Sequence, residues 1–223
     1  MLFATHFKGC SIVGADISKD LLDQAKETFR KSNKTADFVE ASFDKPIPFP
    51  DSYFDLVSCN FAIYYAEDIS FSIKEMYRVL KPNGTLLLVG PAPTNKTEFF
   101  DLQQEITDNP TPFMPGRMRF EPEALPVCRN LFSFVEYRIF TNPVVFNNPE
   151  PFVEYVHSSV TEDRLLWRSL FPNQSTVSTF CKQIEDKVSD IINDQGSFTM
   201  TKVVGGIIAV SYTHLTLPTN REV

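Results

Sequence analysis

DFVEASFDKPIPFPDSYFDLVSCNFAIYYAEDISFSIKEMYRVLKPNGTLLLVG, residues 37–90, alternates strand-like runs with an amphipathic stretch. The runs at 37–41, 54–59 and 85–89 are typical of buried strands, and the helical spacing of apolar residues over 69–80 predicts a helix between the last two. After the helix, Lys81-Pro-Asn-Gly84 predicts a tight turn before the last strand. Strand–helix–strand units with short links form right-handed crossovers on one sheet. The segment therefore predicts an α/β fold with a doubly wound, mostly parallel sheet.

The pattern continues on both sides of this segment. A strand over 11–16 is followed by Ser18, a good N-cap for a helix that runs to about Lys31. The two late strands are expected to form an antiparallel C-terminal edge, and Gly205-Gly206 in the last one predicts a bulge or a close backbone approach. The elements predicted after Gly90 are a helix at 95–106, a Pro-rich loop at 109–119, a strand at 132–140, mostly helix at 149–193 and a strand or hairpin at 197–210.

Composition limits the functions that this chain can have. It has 223 residues, 43% of them hydrophobic, which suits one domain with a substantial core. Its formal net charge is -7 and it has no run rich in Lys and Arg, so we expect no nucleic-acid partner. No apolar run reaches the roughly 20 residues of a membrane helix, and the N-terminus has no signal-peptide pattern. We therefore expect no membrane partner either.

The spacing of the cysteines, histidines and glycines argues against disulfide, metal and phosphate-binding sites. The four cysteines lie far apart without a CxxC pair, and three of them sit in apolar runs, which favours buried thiols in a cytoplasmic protein. The three histidines are isolated, so we predict no metal site. None of the eight glycines forms a GxG pair, so the chain has no phosphate-cradling loop.

The C-terminal stretch VSYTHLTLPTNREV, residues 210–223, differs in character from the rest. It resembles a translated sequencing adapter, and a natural disordered tail is the alternative. We predict that 211–223 is not native and that 1–210 forms a single domain. Within that domain, 106–131 and 141–196 are expected to be variable lid or insert regions.

Three motifs together resemble one enzyme family. They are SIVGADIS at 11–18, FPDSYFDLVSCNFAIYY at 49–65 and EMYRVLKPNGTLLLVG at 75–90. As a set they resemble class I S-adenosylmethionine-dependent methyltransferases of the type 11 kind, closely over 2–90 and more weakly over the two late strands. The resemblance implies a Rossmann-like fold, S-adenosyl-L-methionine as cofactor and a small molecule as methyl acceptor.

One motif of that family is absent. The family's strand and glycine loop, D/E-x-G-x-G-x-G, would come just before Leu2, and Leu2–Phe7 resembles the end of the helix that follows this loop. The resemblance therefore implies a chain truncated before or within this motif, which lacks the first, central strand of the sheet. Two inner edges would then stay unpaired or pair with each other, and methyl transfer would be impaired.

The resemblance assigns cofactor contacts to the ends of two strands. Asp16 ends the first strand and would accept hydrogen bonds from both ribose hydroxyls, whereas a solvated strand-end acid is the alternative. Ile17 would pack on the adenine face or be an ordinary core residue. Asn60 follows a later strand, where it would touch the cofactor and face the substrate.

The loop after the strand at 37–41 departs from the family pattern. Family members usually carry an Asp that binds the adenine amine, whereas this chain reads Ala-Ser42-Phe43-Asp44. Ser42 could bind adenine through its hydroxyl, the Phe43 backbone N–H could reach a ring nitrogen, and Asp44 could replace the usual acid. An ordinary loop turn explains the same residues almost as well.

The acceptor side is less defined. Tyr64 lies where many relatives have His, and Tyr64 or Tyr65 could orient a nucleophile or accept its proton, while an aromatic shelf is the alternative. Asn60 is a second weak catalytic candidate, and no catalytic base is identified. Other residues that could line the acceptor pocket, or simply be solvated charges and packed aromatics, are Arg117, Tyr155, Phe113, Arg119 and His157. Glu75 and Arg78, one helical turn apart, predict a salt bridge without a catalytic role.

Three functions are compatible with these residues. The first is methyl transfer from S-adenosylmethionine to a small molecule, with O-, N- or C-methylation unresolved. The second is a methyltransferase-like partner or scaffold without catalysis. The third is a nicotinamide-dependent oxidoreductase, because Asp16 also fits a ribose-binding acid; RVLKPNG and the late strand pair argue against it. The oligomeric state is not indicated by the sequence.

Overall fold

The structure, a computed structural model, describes residues 9–162 and 164–211. The predictions for Leu2–Phe7 and for the tail beyond Ser211 lie outside these residues. The strands are β1 Val13–Asp16, β2 Asp37–Glu40, β3 Phe54–Asn60, β4 Leu80–Pro91, β5 Phe134–Phe146 and β6 Phe198–Val210. The helices are α1 Lys19–Lys31, α2 Ile69–Val79, α3 Thr97–Thr107, α4 Pro115–Arg119, α5 Leu125–Leu131, α6 Glu150–Glu162, α7 Arg164–Trp167 and α8 Gln174–Gln195, with a 3-10 turn at Ile63–Tyr65 and a π-helical turn at Phe120–Ala124.

The strands combine parallel and antiparallel pairing. β1 pairs with β2 in parallel, and a four-stranded sheet has the order β3-β4-β6-β5. In that sheet β3 and β4 are parallel, whereas β6 runs antiparallel to both β4 and β5. The predicted α/β fold with an antiparallel C-terminal edge is therefore confirmed.

β1 and β3 each have an unpaired edge within the described residues, since β1 pairs only with β2 and β3 only with β4. The two edges do not pair with each other. That the chain lacks a central strand between them stays a prediction.

Local sequence signals set the helix starts. Ser18 Oγ accepts a hydrogen bond from the backbone N–H of Leu21, as expected for the N-cap of α1. Asp68 caps α2 in the same way through the N–H of Phe71. These caps satisfy N–H groups that have no partner within the helix.

Two local predictions need correction, and for a third one of its two alternatives is confirmed. Lys81-Pro-Asn-Gly84 is not a turn before a strand but a bulged excursion inside β4, because the β3–β4 register shifts between Leu80 and Thr85. The Pro-rich stretch ends in helix α4, since a proline is tolerated at the first helical position. Gly205 marks a close approach rather than a bulge: a Cβ there would lie 2.5 Å from the Tyr137 hydroxyl, while the β5–β6 register runs without a shift.

Two hydrophobic cores hold the fold together. The first packs the β3–β4–β6 sheet against α2, α5 and the π turn, and includes Ile73, Leu88 and Phe120, all with no exposed surface. The second packs α3, α6 and α8 against the amino-terminal half of β6, around Phe99 and Phe152. Because that half of β6 extends beyond the carboxyl end of β4, the second core lies on the side of the sheet where ligands bind in α/β folds. Among the described helices none has the length and apolarity needed to cross a membrane.

Candidate functional site

Asp16, at the end of β1, has a carboxylate of which one oxygen already accepts a hydrogen bond. Asp16 Oδ1 accepts a 2.8 Å hydrogen bond from the backbone N–H of Ser18, which holds the start of α1. Oδ2 accepts no hydrogen bond from the described residues, so it is available to a hydroxyl donor. Ile17 beside it is 70% exposed, so it does not occupy the core position that was the alternative.

The loop after β2 is pinned to the neighbouring elements. Ser42 Oγ accepts from the N–H of Asp44 at 3.2 Å, and Asp44 Oδ1 accepts from the N–H of Glu67 at 2.8 Å. The carbonyl oxygen of Phe43 accepts from Ser72 Oγ at 3.1 Å, while its ring packs against the first core. Asp44 Oδ1 therefore serves the loop, and what remains for a ligand is Asp44 Oδ2, the Ser42 hydroxyl proton and the Phe43 backbone N–H.

The end of β3 holds the predicted Asn60 and, directly after it, Phe61, a candidate site residue that the sequence did not indicate. Asn60 is exposed, and its Oδ1 accepts from Ser58 Oγ at 3.3 Å. Phe61 follows with φ of 53° and 49% exposure, and its N–H donates to the carbonyl of Val89 at 2.7 Å. A bulky residue in the left-handed region is strained and often marks a ligand site. Only its place after the strand, next to Asn60, could have indicated it.

Tyr64 and Tyr65 have opposite environments. Tyr64 is 6% exposed and belongs to the first core, whereas Tyr65 is 65% exposed, and their ring centroids are 4.6 Å apart. The aromatic-shelf alternative thus describes Tyr64 better than Tyr65. Tyr65 is the phenol that a ligand can reach.

Arg119 fixes the turn that carries both tyrosines. Its Nη1 donates to the carbonyl oxygens of Tyr64 and Ala66 at 2.9 and 2.8 Å, and Glu123 pairs with the rest of the guanidinium. Its side chain is only 18% exposed. Arg119, predicted as either a pocket or a solvated residue, is instead a clamp on the backbone after β3.

Arg117 lies against the segment that follows β4. Its Nε donates to the carbonyl of Pro93 at 2.8 Å, and its guanidinium lies 4.1 Å from the ring centroid of Phe100. Burial lowers the pKa of Arg117, although Asp101 opposes the change. Arg117 is therefore partly engaged in packing at the carboxyl edge of the sheet.

Tyr155 packs at the rim of the second core. Its hydroxyl accepts from Lys96 Nζ at 2.6 Å, and Lys202 Nζ lies 5.6 Å from its ring centroid. Both lysines belong to segments next to the carboxyl end of β4, since the Lys96 N–H donates to the carbonyl of Thr201. Two ammonium groups thus flank one phenol in this region.

Glu75 and Arg78 form the predicted salt bridge, with Nη2 2.8 Å from Oε2. The same arginine donates to the carbonyls of Ile47 and Phe49, and Glu75 accepts from the Ile47 N–H. The hydrogen bond from Arg78 lowers the pKa of Glu75, and burial only partly opposes this. The pair ties the loop before β3 to α2, which is a structural task.

Two other features add nothing to the site. An open depression lies on the surface of α1, and its lining residues, among them Asp20, Glu27 and Lys31, all belong to that one helix. In 9–162 and 164–211 there is no group of three His, Cys, Asp or Glu residues that could hold a metal ion. The carboxyl edge of the strands therefore remains the candidate site.

Comparison with known sequences finds one matching family and several relatives over the amino-terminal part of the chain. The methyltransferase domain family matches residues 2–88. A ubiquinone/menaquinone biosynthesis C-methyltransferase of Vibrio vulnificus is 32% identical over 80 residues, which are 35% of this chain and 30% of that protein. An uncharacterized methyltransferase, YcgJ of Bacillus subtilis, is 27% identical over 89 residues, 40% of this chain and 34% of that protein. The chain thus matches about a third of the length of these relatives.

Solved structures share the fold over most of the chain. The YcgJ structure from Bacillus subtilis superposes with a TM-score of 0.58 at 15% identity, covering 95% of this chain and 86% of that one. An N-methyltransferase of Haemonchus contortus, solved with phosphomonomethylethanolamine and S-adenosylhomocysteine, has a TM-score of 0.52 at 18% identity and covers 95% of this chain and 46% of that one. At these identities the likeness establishes the fold.

Proposed function

We propose that this protein binds S-adenosylmethionine and transfers its methyl group to a small-molecule acceptor, because residues 2–88 match the methyltransferase domain family and the fold is shared with a solved methyltransferase-like structure. The observation that carries the proposal is Asp16, a strand-end carboxylate with one oxygen available beside an exposed aliphatic side chain. Buried thiols favour a cytoplasmic protein.

The described residues fit the adenosine half of the cofactor. Asp16 Oδ2 can accept a ribose hydroxyl proton, and Ile17 offers an apolar surface to a flat ring. Ser42 and the backbone of Phe43 can meet the adenine edge from the neighbouring loop. The described strand ends offer no comparable set of backbone donors for the amino-acid half, so we propose that this chain binds the cofactor weakly.

Asn60, Phe61 and Tyr65 supply the acceptor side. All three are exposed at the end of β3 or directly after it, and Arg119 donates to the backbone of the turn that carries Tyr65. Asn60 can bind either ligand through its amide, and Tyr65 can orient an acceptor hydroxyl or amine. Tyr155 and Arg117 lie next to the carboxyl end of β4, where they can contact the distal part of the acceptor. The ammonium groups around Tyr155 favour an acceptor that carries an anionic group.

Methyl transfer demands alignment more than acid–base chemistry. The bound cofactor supplies a methyl group already activated by the sulfonium. The chain's task is to hold the acceptor in line and to exclude water, which a rigid turn after β3 and the aromatic side chains around it can do. Proton removal by Tyr65 is needed only for a hydroxyl or a protonated amine.

Calorimetric titration of the 223-residue chain with S-adenosylhomocysteine tests the proposal. We expect saturable binding that Asp16→Asn weakens about tenfold or more, because a charged acceptor for the ribose is lost while the bond to Ser18 can be kept. Asp37→Asn, at the opposite end of the same strand pair, is the control and should bind like the wild type.

A folded chain that shows no binding at millimolar ligand would contradict the proposal. It would favour a methyltransferase-like scaffold instead. Circular dichroism of each variant confirms that the fold is intact before the affinities are compared.

A further inference from the structure

β5 is a long strand with one open edge. It spans Phe134–Phe146, pairs only with β6 among the described residues, and exposes four large apolar side chains, of which Val145 lies near its end and three lie nearer its start. These are Phe134, Ile139 and Phe140, with 44%, 55% and 60% of their surface exposed. The unpaired N–H and C=O groups along such an edge are a template for another strand.

Around Tyr137, the sequence of β5 is palindromic: it reads the same in both directions when residues are grouped by chemical type. Residues 133–141 read SFVEYRIFT, with Tyr137 at the centre. Residues at equal distances on the two sides of Tyr137 match in type: first an acid and a base, then two aliphatic residues, then two phenylalanines, then two hydroxyl residues. The pairs are Glu136 with Arg138, Val135 with Ile139, Phe134 with Phe140, and Ser133 with Thr141.

From this symmetry we propose that β5 pairs edge to edge with β5 of a second copy, antiparallel about a twofold axis at Tyr137. In that register each residue meets the residue at the mirrored position, so every pair in the palindrome forms across the interface. Opposed residues in antiparallel strands project to the same face of the sheet. Self-complementary pairing is what a twofold interface requires.

The existing contacts are compatible with this pairing. Arg138 Nε already lies 2.7 Å from Glu136 Oε1 in the same strand, so the two charges are placed side by side on one face. The Tyr137 ring lies over Gly205 and its hydroxyl donates to Glu121 at 2.7 Å, so the side chain does not cross the open edge. Pro143, which has no N–H to donate, lies outside the nine residues.

The interface is small, so the dimer should be reversible. Nine residues on one strand edge bury less than the roughly 1,200 Å² of a standard stable interface. We therefore expect a concentration-dependent monomer–dimer equilibrium, with a dissociation constant on the order of micromolar.

Sedimentation velocity over a dilution series, with charge-reversed variants, tests the proposal. Arg138→Glu and Glu136→Arg each create two like-charge pairs, so each should weaken the dimer about tenfold or more. The double variant restores opposite charges and should dimerise like the wild type. Lys182→Glu, on the exposed surface of α8, is the matched control and should leave the dimer unchanged.

Three results would overturn the proposal: a wild-type monomer at every concentration, a dimer insensitive to both single reversals, or open-ended aggregation. Circular dichroism shows whether each variant is folded.

A crosslink tests the register separately. In a Cys10→Ser background, which removes the exposed thiol, Tyr137→Cys places two thiols opposite each other across the axis. Opposed Cα atoms about 4.5–5.5 Å apart lie within disulfide range, so this variant should form a covalent dimer on oxidation. Ile139→Cys faces Val135 of the other copy and should not crosslink. The opposite pattern would refute the register.

Discussion

Replacing Arg119 by alanine tests whether the turn after β3 is held by a single side chain. Arg119 Nη1 donates to the carbonyl oxygens of Tyr64 and Ala66, and its guanidinium also pairs with Glu123. The substitution removes all of these interactions and leaves two carbonyl groups of a mostly buried turn without their donor.

The cost follows from the number and kind of bonds lost. Hydrogen bonds with a charged partner are worth about 1.5–3 kcal/mol each, whereas the partly exposed pair with Glu123 adds little. Water can reach part of the turn, because Tyr65 is exposed. We therefore expect Arg119→Ala to lower the free energy of unfolding by about 2–4 kcal/mol, which for a chain of this size lowers Tm by roughly 4–16 °C.

Thermal and urea unfolding, followed by circular dichroism, measure this change. Arg119→Lys can keep one of the two backbone bonds and should lose about half as much stability. Arg117→Ala is the matched control, because Arg117 donates to only one carbonyl, that of Pro93. The clamp would be refuted if Arg119→Ala melted within about 1 °C of the wild type, or if Arg117→Ala lost as much stability.

Three further outcomes are expected. A Cβ at Gly90 would lie 2.7 Å from the buried ring of Phe120, so Gly90→Ala should lower the free energy of unfolding by about 1–3 kcal/mol, measured by urea unfolding. A Cβ at Gly206 would have no neighbour closer than 3.8 Å, so Gly206→Ala should lower it by less than about 0.5 kcal/mol. The hydrogen bond from Arg78 lowers the pKa of Glu75 below its usual 4.5. The contribution of this pair to the free energy of unfolding is therefore present above pH 4.5 and lost as the pH falls through the lowered pKa. Glu75→Gln should flatten the dependence of the free energy of unfolding on pH below pH 4.5. Thiol labelling of the native chain should modify Cys10 quickly and the three buried cysteines only on unfolding, and fast labelling of all four would contradict the buried positions.

Hydrophobic pattern and capping signals were enough to predict most of the fold. Ser18 starts α1 where the sequence indicates, and the amphipathic stretch after Asp68 forms α2 within one residue of its predicted end. These signals are local, since they depend on residues a few positions apart. The bulge in β4 could not be predicted, because it arises from the register with β3.

The site was only partly predictable for the same reason. A strand-end acid such as Asp16 can be read from its position, but the exposure of Tyr65 and the burial of Tyr64 depend on which way the turn faces. That direction is set by Arg119, which lies more than 50 residues along the chain from the carbonyls that it binds. The strain at Phe61 likewise comes from its hydrogen bond to Val89 on the neighbouring strand.

The most direct test of the proposed function is the affinity for S-adenosylhomocysteine of the wild-type chain and of Asp16→Asn, measured by isothermal titration calorimetry. We predict saturable binding by the wild type, about tenfold or more weakening in Asp16→Asn, and no change in Asp37→Asn. Equal affinities of the wild type and Asp16→Asn, or no binding by the folded wild type, would contradict cofactor binding at the end of β1.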